Sequence, residues 1–268
     1  MNTALASVLS QLNDPMVRDL AWALASSNLI STCALAPSQP WYDTLLLDYQ
    51  PRLQALDKAP HLLHQHCAQP TRLGFYFEAL WHFFLIDSPR FQVLAHNWQQ
   101  IFAGTTVGAF DFLVWDRQSQ RIEHWELAVK FYLISQPQQP FDHAFGLNTR
   151  DKLRRKYHHM LEQQLQLSQH PQVALRLEQQ QLMPSQQRLI LKGRLYYPLN
   201  CHQFISPDSE RGSWGTSPPA AHFIAQQKLG WLTGHRPSEQ VAPRQNYCDS
   251  HGQWYMQVDA AWLTSTQS

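Results

Sequence analysis

Asp111, Glu126 and Lys130 are acidic and basic side chains set into apolar, aromatic-rich runs, and that setting is what gives them chemical interest. The stretch from Gly108 to Leu133 reads GAFDFLVWD, a polar link RQSQR, then IEHWELAVKFYL. Both runs alternate with period two, the pattern of two antiparallel strands joined by a short loop. Side chains in a strand alternate faces, so His124, Glu126, Ala128 and Lys130 share one face, and Trp125, Leu127, Val129 and Phe131 the other. A carboxylate or an ammonium inside an apolar strand costs free energy unless it is paired or holds a metal. Two acids and a lysine converging on a sheet face therefore suggest a divalent-metal site, with an ion-pair cluster that braces the sheet as the alternative. His124, on the Glu126 face, is a candidate supporting group or base.

The elements that must position these groups can be read from the rest of the chain. Asp14-Pro15 is a helix start signal ahead of MVRDLAWALASS, and a second helix is expected from about Trp41, broken at Pro51. From Arg72 to Phe84 the apolar helix RLGFYFEALWHFF carries Gly74, Glu78 and His82 along one line. FQVLAH reads as a short strand, and the acidic hairpin comes after it. A helix over about Thr149–Leu167 is expected next, with Asn148 and Asp151 as a capping-box variant, and then a buried strand over Arg188–Tyr197. The order is helix, three strands, helix, strand. Beyond it come a loop over Ser206–Pro219, a short helix near Phe223–Lys228 and a terminal strand from QWYMQVDAAWL. The glutamine-rich stretches read as solvated surface, and no internal repeat is evident.

This order, with its acids, resembles the PD-(D/E)XK nuclease superfamily, and more closely an uncharacterised bacterial family assigned to it. The resemblance covers about Arg72 to Tyr197: Glu78 in LGFYFEAL, Asp111 in GAFDFLV after Gly108, and Glu126 in HWELAVK. It implies an α/β fold with a restriction-endonuclease-like αβββαβ core and a mixed sheet at 71–200. An N-terminal helical region (1–70) and a C-terminal α/β extension (201–268) would flank that core. It also implies metal-dependent phosphodiester hydrolysis with Mg²⁺ or Mn²⁺ on Asp111, Glu126 and the Leu127 carbonyl. Glu78 would hold a second metal or a metal-bound water. The superfamily lysine normally follows the acid by two residues. Here that position is Ala128, and Lys130 lies about 6.6–6.8 Å further along the same face. Lys130 is then either the working lysine or a structural one in an impaired site.

On the second core helix, Lys152, Arg155, Lys156 and His159 fall at i, i+3, i+4 and i+7, a cationic stripe suited to a phosphate backbone. Contacts of that kind position a strand without reading its sequence, so structure- or end-dependent cleavage of DNA is expected. A non-catalytic nucleic-acid-binding module of the same fold and a partner-binding scaffold are the alternative readings.

Composition sets few limits. The 268 residues carry a net charge of +1, 44% hydrophobic and 12% aromatic residues, and ten Trp, which suits a folded chain with no global pull toward nucleic acid. Cys33, Cys67, Cys201 and Cys248 form no C-x-x-C pair. The His64/His66 and His158/His159 pairs have no acid or cysteine partner at metal-site spacing. There is no signal-peptide pattern and no apolar run of membrane-spanning length, so a soluble, cytoplasmic protein without a membrane partner is expected.

Overall fold

The computed structural model describes residues 3–69, 71–199, 201–202, 204–206 and 208–267. Among them, nine strands form one mixed sheet in a mixed α/β architecture, with helices packed at both ends of the chain. The N-terminal helices are α1 (Thr3–Leu9), α2 (Pro15–Ala25), α3 (Gln39–Lys58) and α4 (His61–His66). Asp14 caps α2, its carboxylate accepting from the Met16 and Val17 amides. The expected break at Pro51 does not occur, because α3 runs through it. Pro51 faces solvent, where water can serve the carbonyl that its missing N–H leaves open.

The core follows the expected order. Helix α5 (Leu73–Asp87) leads into β1 (Phe91–Phe102), β2 (Thr105–Asp116) and β3 (Arg121–Ile134), then short β4 (Ala144–Phe145), α6 (Leu153–His159), α7 (Pro171–Gln179) and β5 (Gln186–Pro198). Strand β1 is twice the expected length, since it pairs with β2 along its whole course across two irregularities. Strands β1, β2 and β3 are antiparallel, whereas β3 and β5 run parallel. On one face Trp125, Leu127, Val129 and Phe131 pack with Phe77, Leu80, Trp81 and Phe84 of α5 and with the N-terminal helices. The buried indole of Trp125 meets Trp81 edge-on at 5.7 Å.

The expected Thr149–Leu167 helix is divided. Asp151 does not form the capping box, because its carboxylate is engaged by Lys130 and Tyr132, and α6 starts only at Leu153. The helix then widens into a π-turn over Met160–Gln164 and closes through a 3₁₀ turn at Leu167–Gln169.

Past residue 200 the sheet continues through β6 (Arg211–Gly215), β7 (Ile224–Ala225), β8 (Gln245–Cys248) and β9 (Trp254–Gln257), in the strand order β1-β2-β3-β5-β6-β9-β8-β7. The helix expected near 223–228 is replaced by β7 and a 3₁₀ turn at Lys228–Trp231; the segment is tied to β8 by Gln226 N–H bonding to the Asn246 carbonyl. The expected terminal strand stops at Gln257, where Asp259 turns the chain into α8 (Ala260–Gln267) by accepting from the Trp262 amide. Fully buried Arg194 of β5 joins the parts. It pairs with Glu210 at 2.6 Å and donates to the Trp231 and Leu232 carbonyls, while Trp22 of α2 donates to the same Glu210 at 2.7 Å. No helix among the described residues is long and apolar enough to cross a membrane.

Candidate active site

The site lies where the sheet forks. Strands β2 and β3 pair only from Phe112 with Trp125 to Asp116 with Arg121. Before Phe112, β2 pairs with β1 alone, and after Trp125, β3 pairs with β5, so two ladders diverge at Asp111 and Glu126. Each acid satisfies a backbone donor that the fork would otherwise leave open. Asp111 Oδ2 accepts from the Leu127 amide at 2.8 Å, and Glu126 Oε1 accepts from the Asp111 amide at 3.3 Å.

Glu126 is fully buried. His124 Nε2 lies 2.7 Å from its Oε1, and Gln164 Nε2 donates to its Oε2 at 2.6 Å. Burial holds His124 neutral, with its ring pushed down to about 3, so the tautomer that fits carries its proton on Nε2. Burial pushes Glu126 up to about 7, and burial together with the Glu126 charge pushes Asp111 up to about 8. Two carboxylates this close and this dry do not both ionise at neutral pH unless a cation joins them. Their hard oxygens suit Mg²⁺ or Mn²⁺, and Asp111 also faces a cavity through which an ion could arrive.

That cavity, about 540 Å³, is walled by α5, the fork, the loop before α6 and the 3₁₀ turn at Lys228–Trp231. Glu78 lines it from α5 and adds to the negative field on Asp111. Its own Oε1, however, is held by His96 Nε2 and Asn97 Nδ2, each at 2.7 Å. Glu78 is therefore a neighbour of the pair, tethered to β1, and no grouping of three His, Cys, Asp or Glu side chains poised to hold a metal occurs among the described residues.

The lysines are placed differently from their spacing. Lys130 points into the cavity but forms an ion pair with Asp151 at 2.7 Å. Lys156, expected on the outer cationic stripe, turns inward: its Nζ donates to Gln164 Oε1 at 3.0 Å and feels the charges of Asp111, Glu126 and Asp151. Burial, and then Lys130, lower its pKa. Gln164 thus bridges Lys156 to Glu126, and the π-turn that displaces the helix by one residue is what carries it there. Lys152, Arg155 and His159 stay exposed; Lys152 stands 4.9 Å over Phe145, while Arg155 and His159 line a second pocket beside the cavity.

Gln164 and Lys228 were not legible as site residues, and the sequence leaves Trp231 open between filling core and stacking a base. Glutamine in a glutamine-rich helix gives no signal, and the other two arrive from the C-terminal extension. No curated protein and no solved structure matches the chain. A family of unknown function does: the match to the domain DUF1853 extends over residues 18–266, and the chain belongs to that family.

Proposed function

We propose that the protein is a metal-dependent nuclease of the PD-(D/E)XK type that hydrolyses phosphodiester bonds of DNA in the cytoplasm. The observation that carries this reading is the Asp111–Glu126 pair at the fork, two desolvated acids of which Asp111 lines the cavity and Glu126 lies buried behind it, with Lys156 beside them. The order of elements and of the acids Glu78, Asp111 and Glu126 along the chain supports it.

Mg²⁺ or Mn²⁺ bound to the pair would polarise the phosphate and lower the pKa of the attacking water. Asp111 would hold the ion as a carboxylate, its proton given up to solvent, and the Leu127 amide keeps that carboxylate oriented. Glu126 is held by His124 and Gln164, which fix its rotamer. Lys156 takes the role left vacant at Ala128, setting an ammonium beside the carboxylates where negative charge grows on the phosphate. Lys130, restrained by Asp151, contributes to substrate placement. Arg155, Lys152 and His159 would hold the strand's backbone outside the cavity.

A second reading, a nucleic-acid-binding module without catalysis, is favoured by one observation: both Glu126 oxygens already have hydrogen-bond partners. A cleavage assay separates the two. Single-stranded, duplex and branched DNA are incubated with EDTA, Mg²⁺ or Mn²⁺, with wild type and Asp111→Asn side by side. Cleavage that needs the metal and vanishes in the variant is expected. Intact substrates with both proteins folded would overturn the nuclease.

A further inference from the structure

The carboxylates occupy only part of the cavity. Its remaining wall is cationic and aromatic, built from segments far apart in the chain: Arg72 at the start of α5, Lys130 on β3, and Lys228 and Trp231 from the C-terminal extension. The side chains of Arg72 and Lys228 have neither an ion pair nor a hydrogen bond among the described residues. Lys228 Nζ stands 3.4 Å from the centroid of the Trp231 ring, which packs edge-on to Phe131 at 5.4 Å. The indole N–H of Trp231 is itself buried without an acceptor.

Crowding around the Lys228 head, together with the nearby Lys130, lowers its pKa to about 8, although the residue as a whole is exposed to solvent. A side chain that could swing into water is instead packed on an indole beside another ammonium. Lys130 is offset by Asp151, whereas Lys228 and Arg72 have no ion-pair partner among the described residues; cations left so are unfavourable in the empty cavity and become favourable when an anion enters. Lys130 stands between the other two ammoniums and acts on both Lys156 and Lys228, while Asp111 acts on Lys156 from the other side.

We infer that Lys228, Lys130 and Arg72, backed by Trp231 and Phe131, form an anion subsite that receives the terminal phosphomonoester of a nucleic-acid strand. A cavity of this volume is the size of a small-ligand pocket and takes a terminal nucleotide. A terminal monoester carries more charge than an internal diester, which suits a wall where two of the three cations, Arg72 and Lys228, lack an ion-pair partner among the described residues. Trp231 and Phe131, both buried, form the apolar backing that holds the Lys228 head at the cavity. The identification of the ligand as a strand end rests on the nuclease reading; the anion subsite itself does not.

The test is binding in EDTA, read by fluorescence anisotropy with a single-stranded DNA decamer carrying a 5′-phosphate, a 3′-phosphate or hydroxyls at both ends. Deoxynucleoside 5′-monophosphate serves as competitor. Wild type should bind one phosphorylated probe about tenfold tighter than the hydroxyl probe, the value of one charge-assisted contact. Lys228→Gln should remove that difference, and Lys58→Gln, an exposed lysine elsewhere, should preserve it. Equal affinity for all three probes, or a preference that survives Lys228→Gln, would overturn the subsite even if DNA is cleaved. Lys228-dependent binding of the monophosphate in a protein that cleaves nothing would keep the subsite and discard the nuclease.

Discussion

Gln164 Nε2 donates to Glu126 Oε2 at 2.6 Å while the other end of the same amide receives Lys156 at 3.0 Å. One neutral side chain thus separates a buried acid from a lysine that would otherwise pair with it directly. A direct pair would fix both charges on each other; the amide keeps the ammonium near the acid yet available to a substrate oxygen.

Replacing Gln164 by Ala should therefore lower the cleavage rate about 10–100-fold, the usual cost of losing a group that orients a metal-binding residue. Stability should fall by about 1–3 kcal/mol, since two hydrogen bonds go and the buried Glu126 loses one of its partners. Single-turnover rates and urea melts on the same preparations check both, and an unchanged rate would remove Gln164 from the site.

The two lysines should separate in the same assay. Lys156→Met should reduce cleavage about 10²–10³-fold, as expected when a charge at the developing anion is lost. Lys130→Met, which breaks the pair with Asp151, should cost less in rate and more in substrate affinity. The reverse order would return the catalytic role to Lys130.

Asp111 sets a pH signature. Its carboxyl is raised from an ordinary 3.8 to about 8 in the folded protein, so the folded state holds more protons than the unfolded one between those values. Its contribution to stability is present at low pH and is lost as pH rises through that window. His124, lowered by burial, acts in the opposite direction, but it is common to wild type and Asp111→Asn and cancels in their difference. In EDTA the variant should gain on wild type as pH rises from about 5 to 8, ending more stable by about 0.5–2 kcal/mol, as active-site replacements often do. Parallel stability curves across that range would show that Asp111 is not strained.

Gly193 opposes Lys130 in the parallel β3–β5 pairing, with φ at +136°. A Cβ there would lie 1.7 Å from the Lys130 carbonyl oxygen. Gly193→Ala should destabilise the protein by at least about 3 kcal/mol or prevent folding, since both the conformation and the contact forbid it. A melt within 1 kcal/mol of wild type would contradict this close approach.

The acids were legible because they interrupt runs whose alternation is otherwise complete, and Glu78 because it lies in an apolar helix at the expected place in the order. Face alternation also located Lys130, but not its partner Asp151, which the sequence offers more naturally as a cap. Lys156 sits in a stripe whose spacing describes a straight helix. Nothing in MLEQQ announces the π-turn that rotates the later residues of that helix. Lys228 and Trp231 reach the cavity by strand pairings more than a hundred residues removed from Asp111, where local pattern carries no information.

The fork has a mechanical consequence. Beyond it, the later half of β1 and the first half of β2 form a two-stranded arm with no support from β3, and that arm is braced on its far side by α7. Phe110, Leu167, Val173 and Leu177 pack together there, and Arg176 lies 4.1 Å over Phe102 while bonding Gln100. Asp111 rides on the arm and Glu126 on the body, so the arm is a lever with its fulcrum between the two acids. The gap that separates them is then set by how α7 seats against the arm, and loosening that seat would be felt first as a change in their spacing.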